Sequence, residues 1–260
     1  MKKLLSIIIL FLLFIIKNTS AFEVNHELSI TLGAFDAGRS SLSYNLTPKS
    51  YQVKSSIRTH GFFNTMYPFQ ANYSTTGKIT KNKLQTSEYH YSSQSRFNRR
   101  TKELIYNDKG IPTYRISSKN NKSKKSEIKN TEKYQGTTDL QTVLAEFIKQ
   151  YNELKFCDSR MEVFDGKRRF DVIFKDEGQE SIQPCTENGY SGVAAKCSMY
   201  IDKLNSDDDD LLWQLTSERP VYFWILETPE TYKPFIAQIR IKNTPLGKLD
   251  VCTTNITIKE

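Results

Sequence analysis

The chain has 260 residues, a length that fits one large β domain or two small ones and does not require a division into domains. Its formal net charge is +8, and without the first 21 residues, which carry three lysines and no acids, the charge is +5. This mild excess of basic residues suits anionic membrane surfaces or cell-wall polymers. Nucleic-acid binding could also produce it, but the export signal described next argues against that partner, and we expect none.

The first 21 residues have the pattern of a secretory signal peptide. Two lysines precede an apolar core at residues 4–16, and small residues occupy the cleavage positions at 19–21. The core is shorter than a transmembrane helix requires, and no cysteine follows the cleavage site to carry a lipid anchor. We therefore expect residues 1–21 to be removed and residues 22–260 to form a single β-rich domain in the periplasm, with secretion outside the cell as the alternative.

Residues 24–106 alternate apolar and polar side chains with a period of two, between turns marked by glycine and proline. The clearest apolar positions are Leu28, Ile30, Leu32, Leu42, Tyr44, Leu46, Tyr51, Val53 and Ile57. This pattern predicts an antiparallel meander with one buried face.

A lysine-rich, weakly hydrophobic segment follows at residues 117–136, and we expect it to be a mobile surface loop. The alternative is a basic patch for lipid or polymer. The segment lacks the interleaved aromatic residues that are typical of nucleic-acid platforms.

The strongest helix signal begins at Thr138, a good N-cap with Gln141 three residues later, and Asp139 in the first turn suits the helix dipole. One apolar stripe at helical spacing comprises Leu140, Val143, Leu144, Phe147, Ile148 and Tyr151. This stripe must pack on the sheet. We favour a helix that permanently fills the concavity over one that acts as a lid above a cavity.

Asp165-Gly166 predicts a tight two-residue hairpin turn with positive φ at both residues. Phe170, Val172 and Phe174 alternate with polar or exposed positions after it. Asp165 and neighbouring charged residues could form a polar site, but turn chemistry explains them fully, so we favour a turn.

Four acids at Asp207–Asp210 suggest calcium at first sight, but Leu212 stands where a calcium loop needs glycine, so we favour the start of a short helix. Residues 221–226 form an apolar run without alternation, as expected of a strand covered on both faces. Residues 235–241 predict its partner, and residues 249–258 predict a last, bulged strand.

The four cysteines all follow the signal peptide, and an even number in an exported chain implies disulfides, with three pairings possible. No C-x-x-C spacing and no nearby histidine supports zinc. His26, His60 and His90 are in no metal-binding motif, and no nucleophile or phosphate-loop motif occurs. We therefore predict no catalytic residue, no metal site and no cofactor.

Two segments carry a family resemblance: C-D-x-x-x-x-V-F-D-G-K-R-R-F-D from Cys157, and Y-S-G-V-A-A-K-C ending at Cys197. With T-T-D-L-Q-T-V-L at 137–144, R-P-V-Y-F-W-I-L at 219–226 and T-P-L-G at 244–247, they resemble the bacterial "domain of unknown function 3108" family in its alphaproteobacterial form. The family usually has proline where this chain has Leu140.

The resemblance implies a Cys157–Cys197 disulfide, which leaves Cys185 to pair with Cys252. It also implies a periplasmic relative of the half-barrel lipoprotein carriers, and it supplies no established activity. The fold class we predict is mainly β: a curved antiparallel sheet or half-barrel with one major helix packed on its concave face.

The function we predict is that of a non-enzymatic envelope factor that binds an apolar ligand or a lipidated partner in the concavity, lined by Phe147, Tyr222 and Trp224. Expected partners are a lipid, a lipoprotein or another envelope protein, with association at the membrane surface and a monomeric state. The first alternative is a structural or protein-interaction factor with a filled core, acting through an exposed edge strand or the lysine-rich segment. The second is an envelope hydrolase.

Overall fold

The structure, a computed structural model, describes residues 22–81, 83–203, 214–228, 232–244 and 246–259. The predicted signal peptide and the acid run Asp207–Asp210 lie outside these ranges.

Within the described ranges the chain forms fourteen strands. They are β1 (Phe22–Leu32), β2 (Phe35–Leu46), β3 (Ser50–Thr59), β4 (Phe69–Thr80), β5 (Lys83–Ser95), β6 (Arg99–Tyr106), β7 (Pro112–Lys119), β8 (Lys122–Glu127), β9 (Ser159–Phe164), β10 (Arg169–Ile182), β11 (Gly192–Lys203), β12 (Val221–Glu227), β13 (Pro234–Thr244) and β14 (Gly247–Lys259). The helical elements are α1 (Gly61–Met66), a 3₁₀ turn (Thr131–Tyr134) and α2 (Leu140–Leu154).

All fourteen strands belong to one antiparallel sheet that is not closed. Its order is β8-β7-β6-β5-β4-β3-β2-β1-β14-β13-β12-β11-β10-β9. Strands that follow each other in sequence are paired, except that β8 and β9 lie at opposite edges, and the first strand β1 pairs with the last strand β14. The predicted meander is confirmed, and so is the mainly β fold class.

The sheet curves around α2. In the sheet order β5 is fourth and β9 is fourteenth, which would put them roughly 48 Å apart if the sheet were flat. Helix α2, about 10–12 Å wide, contacts both, together with β3, β4 and β13. Only a strongly curved sheet permits these contacts, so the helix lies on the concave, inner face as predicted.

The two ends of the sheet approach each other without pairing. Lys102 Nζ on β6 donates to the carbonyl of Asp165 at 3.0 Å, and Arg115 on β7 donates to the carbonyl of Gly166 at 2.7 Å. Thr138 forms a parallel bridge with Val163 and so occupies part of the outer edge of β9. Side chains of β6 and β7 therefore bridge to the β9–β10 turn, and Thr138 covers part of the free edge of β9.

Helix α2 begins one residue later than the sequence predicts. Its N-cap is Asp139, whose carboxylate accepts from the backbone N–H groups of Gln141 and Thr142, while Thr138 is extended in its bridge to β9. The prediction of Thr138 as N-cap was wrong because a tertiary strand contact uses that residue. The apolar stripe of the helix is as predicted, except that Leu140 is 37% exposed.

The interior between α2 and the sheet is filled. Phe147 is fully buried, stacks on Phe174 with ring centroids 4.2 Å apart and meets Phe223 edge to face at 5.3 Å. The disulfide between Cys157 and Cys197 lies in the same core. This packing agrees with a helix that fills the concavity.

A second, smaller apolar cluster covers the outer face of β11–β13. It consists of Ile182, Ala194, Trp224, Phe235 and Ala237, with Tyr190 of the β10–β11 connection packed edge to face on Phe235 at 4.9 Å. The disulfide between Cys185 and Cys252 ties that connection to β14. Strand β12 is thus covered on both faces, as its continuous apolar run predicts.

The lysine-rich segment is not the loop that the sequence predicts from 117 to 136. Residues 117–119 end β7, and Lys122–Glu127 form β8, the strand at one edge of the sheet. Hydrogen bonding to β7 outweighs the low intrinsic strand preference of lysine, and the lysines of β8 remain exposed to water. The lysine-rich segment and the exposed edge strand are therefore the same element.

The β9–β10 turn also differs from the prediction. Phe164 pairs with Arg169, so the connection has four residues rather than two, and only Gly166 has positive φ (+90°). The Asp165 carboxylate accepts from the backbone N–H groups of Lys167 and Arg168 and pairs with the Arg168 guanidinium. These side-chain bonds stabilise the longer turn.

Candidate binding cleft

An open cleft of about 760 Å³ lies where α2 ends against β10, β11 and β12. Its lining is mixed. Apolar and aromatic side chains come from Tyr151, Phe156, Val193, Ile225, Leu226 and Tyr232, and polar ones come from Lys155, Asp176, Gln179, Glu227 and Thr228. A cleft of this volume is in the usual range for small-ligand sites. We call it the helix-end cleft.

The end of α2 builds one wall of the helix-end cleft. Lys155 adopts a left-handed conformation (φ +54°) as C-cap, and its N–H donates to the Tyr151 carbonyl at 2.8 Å. The chain then turns so that Phe156 is 47% exposed while Cys157 is fully buried in its disulfide. The disulfide fixes the backbone directly beside an exposed aromatic ring.

A bulge in β10 forms the opposite wall. The register between β10 and β11 shifts between Asp176 and Gln179, and Gly178 has φ +82°. The Asp176 carboxylate accepts from the backbone N–H groups of Cys157 and Gly178. This carboxylate therefore holds the bulge against the segment that follows the helix.

Strands β11 and β12 diverge at the helix-end cleft. Their pairing stops at Ala195 and Ile225, and beyond that point Val193 and Leu226 both line the cleft. Val193 is 69% exposed although it is apolar. An apolar side chain that faces water inside a concavity is typical of a surface that is covered by a ligand or partner.

The helix-end cleft also contains charged groups, among them Asp176 and the pair Lys155 and Glu227. Lys155 and Glu227 form an ion pair across it, with 48% and 40% of their side chains exposed. Burial raises the pKa of Tyr151, and the carboxylates of Glu227 and Asp176 add to this rise. The Tyr151 hydroxyl is therefore neutral at physiological pH.

The three predicted lining residues do not lie together. Phe147 lies in the filled inner core, whereas Trp224 belongs to the outer cluster, where its indole N–H donates to Glu180 at 3.3 Å. Tyr222 is on the same outer face, with the ammonium of Lys242 4.4 Å from its ring centroid. Alternation along β12 turns Phe223 inward against Phe147 and turns Tyr222 and Trp224 to the outer face.

The residues of the helix-end cleft were missed by the sequence analysis. Phe156 directly precedes Cys157 and breaks the helical stripe, a signal that an exposed aromatic follows the helix. Val193 and Gly192 lie in a segment quoted for the family resemblance, but nothing in their pattern reveals that two strands diverge there.

The cysteines pair as the family resemblance implies, Cys157 with Cys197 and Cys185 with Cys252. Two disulfides are typical of a protein that folds in an oxidising compartment. Among the residues that the structure describes, His, Cys, Asp and Glu side chains form no cluster suited to a metal ion. No helix in the described ranges combines the length and hydropathy that a membrane crossing requires.

A buried polar cluster anchors the other end of α2. The Asp139 carboxylate, 2% exposed, accepts from the hydroxyls of Thr75, Thr86 and Thr142 in addition to its two N-cap bonds. The Tyr51 hydroxyl joins the cluster at 2.7 Å from that of Thr142. These bonds fasten the helix to β3, β4 and β5.

The family model described as "Protein of unknown function (DUF3108)" matches residues 27–243 of the chain. The chain belongs to this family. No curated protein matches this DUF3108 member.

A solved structure similar to this DUF3108 protein is a β-barrel-like protein of domain of unknown function DUF1849 from Brucella abortus. The two share 10% sequence identity with a TM-score of 0.53, over 92% of this chain and 98% of the other. At this identity the similarity concerns the fold alone, and it agrees with the open, barrel-like sheet.

Proposed function

We propose that the protein is an exported, non-enzymatic binding protein of the cell envelope that takes the acyl chain of a lipid in the helix-end cleft. The observation that carries the proposal is the exposure of Phe156 and Val193 within a concavity that Ile225 and Leu226 also line. The two disulfides support an oxidising, exported location.

The volume and the chemistry of the cleft support an acyl chain. The lining is mixed: its apolar and aromatic side chains offer contacts to a hydrocarbon chain, and its polar and charged side chains offer partners to a headgroup. Lys155 provides a cation there for an anionic headgroup, held in place by Glu227. The filled interior around Phe147 argues against a ligand beneath the helix itself.

The test uses the full chain, exported and purified from an oxidising periplasm, and a fluorescent long-chain fatty acid as the probe. Val193→Asp and Phe156→Ser should each weaken binding of the probe at least roughly tenfold, because each removes an apolar contact or adds a charge in the cleft. Phe97→Ser is the matched control, since Phe97 is 74% exposed and is not a lining residue of the cleft.

Native mass spectrometry of the same preparation should show an adduct in the lipid mass range that is lost in Val193→Asp. A bare mass together with no probe binding by the unaltered chain would contradict the proposal. Equal losses in Phe97→Ser and the two cleft variants would also contradict it, because the loss would then not depend on the cleft.

The second candidate function is protein interaction without a ligand, which the filled interior favours. In that case the helix-end cleft takes an apolar segment of another envelope protein. A bare mass combined with a partner that is released by Val193→Asp but not by Phe97→Ser would support this candidate.

A further inference from the structure

The inner face of β6, β7 and β8 carries a group of basic side chains that the helix-end cleft does not include. Leu104 on β6 faces inward, because it packs with Tyr106 and Phe164. Period-two alternation then places Lys102 and Arg100 on the same inner face. The bond from Lys102 to the carbonyl of Asp165 across the gap agrees with this placement.

The register of the three strands extends this inner face to the edge of the sheet. Leu104 pairs with Arg115, Lys102 with Ser117 and Arg100 with Lys119. On the next strand, Ser117 pairs with Lys124 and Lys119 with Lys122. Directly paired residues share a face, so the inner side carries the following six cations. They are Arg100, Lys102, Arg115, Lys119, Lys122 and Lys124, which we call the basic face.

The acids of these strands lie on the opposite side. Glu103 pairs with Ile116, and Glu127 pairs with Tyr114, at positions that alternate with the basic face. Lys125 also points outward, with its ammonium 4.4 Å from the Tyr114 ring centroid. The basic face therefore collects positive charge on one side of the edge and leaves the negative charge on the other.

Most of these cations lack a neutralising partner. Among the described residues, Arg100, Lys119, Lys122 and Lys124 make no ion pair, and all four are exposed. The nearby carboxylate of Asp165 pairs with Arg168 in the β9–β10 turn. Exposed like charges on adjacent strands repel each other, and a bound anion relieves that repulsion.

We propose that the basic face binds a linear anionic polysaccharide. The sheet is concave on this side, and the β9–β10 turn, held by Lys102 and Arg115, stands beside it as a wall. A trough with cations about 5 Å apart across strands and about 7 Å apart along them suits a chain of repeated anionic groups.

Other polyanions fit less well. A bilayer presents a broad, gently curved surface, and the basic face has no exposed large apolar side chain to insert, since the exposed Tyr114 is on the outer side. Single-stranded nucleic acid uses exposed aromatic rings as stacking platforms. Tyr91, the inward-facing neighbour of Lys102, is half-buried against Tyr73 and is not such a platform.

Lysines on an edge strand also protect a sheet from pairing with other chains, so the experiment must separate the two roles. The protective role depends on charge anywhere on the edge, whereas the proposed site depends on the inner face. Lys122→Gln with Lys124→Gln removes two inner charges. The matched control, Arg99→Gln with Lys125→Gln, removes two outward charges from the same region.

The measurement is fluorescence anisotropy of labelled heparin, a sulfated linear polysaccharide, with the full chain purified from an oxidising periplasm. We expect the inner double variant to weaken heparin binding roughly four- to twenty-five-fold, at about two- to fivefold for each removed charge. The slope of log affinity against log salt should fall by about two. The outer double variant should stay within about twofold of the unaltered chain.

The proposal would be overturned by no heparin binding to the unaltered chain, by equal losses in the two double variants, or by equally strong binding of neutral dextran of the same length. Tighter binding to phosphatidylglycerol vesicles or to a single-stranded DNA oligonucleotide than to heparin would assign the face to a different polyanion and would also overturn it. Surface Lys→Gln changes alter stability little, so the variants should fold. The fatty-acid test of the helix-end cleft is independent of these outcomes.

Discussion

The two halves of the sheet differ in how much of their outer face is exposed to water. Strands β11–β13 are covered on both faces, by α2 and the inner core on one side and by the Trp224 cluster on the other. Strands β2–β6 have an outer side that is open to water over much of its area. Their outer side presents a surface of small hydroxyl side chains that includes Ser41, Ser43, Ser56, Ser74, Ser92 and Thr101.

This difference shows two ways of holding one helix in one sheet. In the C-terminal half, aromatic packing around Phe147 and two disulfides hold the structure. In the N-terminal half, hydrogen bonds to the buried carboxylate of Asp139 attach the helix to the sheet. The helix-end cleft lies at the end of α2 that is next to the Cys157–Cys197 disulfide. The basic face lies on β6–β8, in the N-terminal half.

The largest effect should come from breaking the polar anchor. Asp139→Ala leaves three hydroxyls and two backbone N–H groups without their acceptor, and it should lower the free energy of unfolding by about 4 kcal/mol. Urea denaturation measures this loss. Thr75→Val removes one donor from the same carboxylate and should cost only about 1 kcal/mol. Similar losses in both variants would show that Asp139 is not the anchor.

Removing either disulfide should destabilise the C-terminal half of the sheet. The bridges close loops separated by 40 and 67 residues, so each double Cys→Ser variant should lose roughly 3–4 kcal/mol in the chain-entropy description. Only the Cys157–Cys197 variant should also weaken fatty-acid binding, because that bridge fixes the wall carrying Phe156. Equal binding by both variants would show that the bridge does not organise the helix-end cleft.

His26 on β1 lies between the halves, stacked near Tyr44 and 6.4 Å from Phe235. Burial lowers its pKa from the ordinary 6.5 to about 4. Between pH 6.5 and pH 4 the His26 side chain is protonated in the unfolded chain but stays neutral in the folded chain. Stability should therefore be complete above pH 6.5 and fall by about 3 kcal/mol towards pH 4.

Unfolding free energies measured at intervals from pH 7 to pH 4 test this expectation, with His26→Phe as the comparison. The variant should lose that part of the pH dependence and keep the part due to carboxylates. If the two proteins show parallel curves over this interval, His26 does not set the acid sensitivity.

The smallest effect should come from the ion pair at the rim of the cleft. Lys155 and Glu227 are each close to half exposed, so Glu227→Gln should change stability by less than about 1 kcal/mol. A thermal melt resolves this small change. A larger loss would mean that the rim, and not only the buried core, holds the end of α2 in place.

Local patterns predicted the elements well because each depends on near neighbours in sequence. The period-two runs of β1–β6, the stripe of α2 and the continuous apolar run of β12 all follow from which faces they bury. The N-cap is Asp139 rather than the predicted Thr138, because Thr138 forms a β-bridge with Val163. That contact joins residues distant in sequence, so no local pattern predicts it.

The sites were harder to predict than the fold. The helix-end cleft depends on two strands that separate after Ala195 and Ile225, and their register is a long-range property. The lysines of β8 look like a solvated loop because their composition is weakly hydrophobic. Their common face becomes visible only when the register places Lys124 opposite Ser117 and Lys122 opposite Lys119.

The pairing of β1 with β14 has a consequence for the order in which the protein can fold. Residues at the two ends of the described chain, such as Glu23 and Lys259, meet in the middle of the sheet. On the proposed export route, a chain that crosses the membrane with its N-terminus first exposes one side of β1 until β14 emerges. During that interval β1 is an unpaired edge, open to pairing with other chains, and a chaperone that shields extended strands would find its target there.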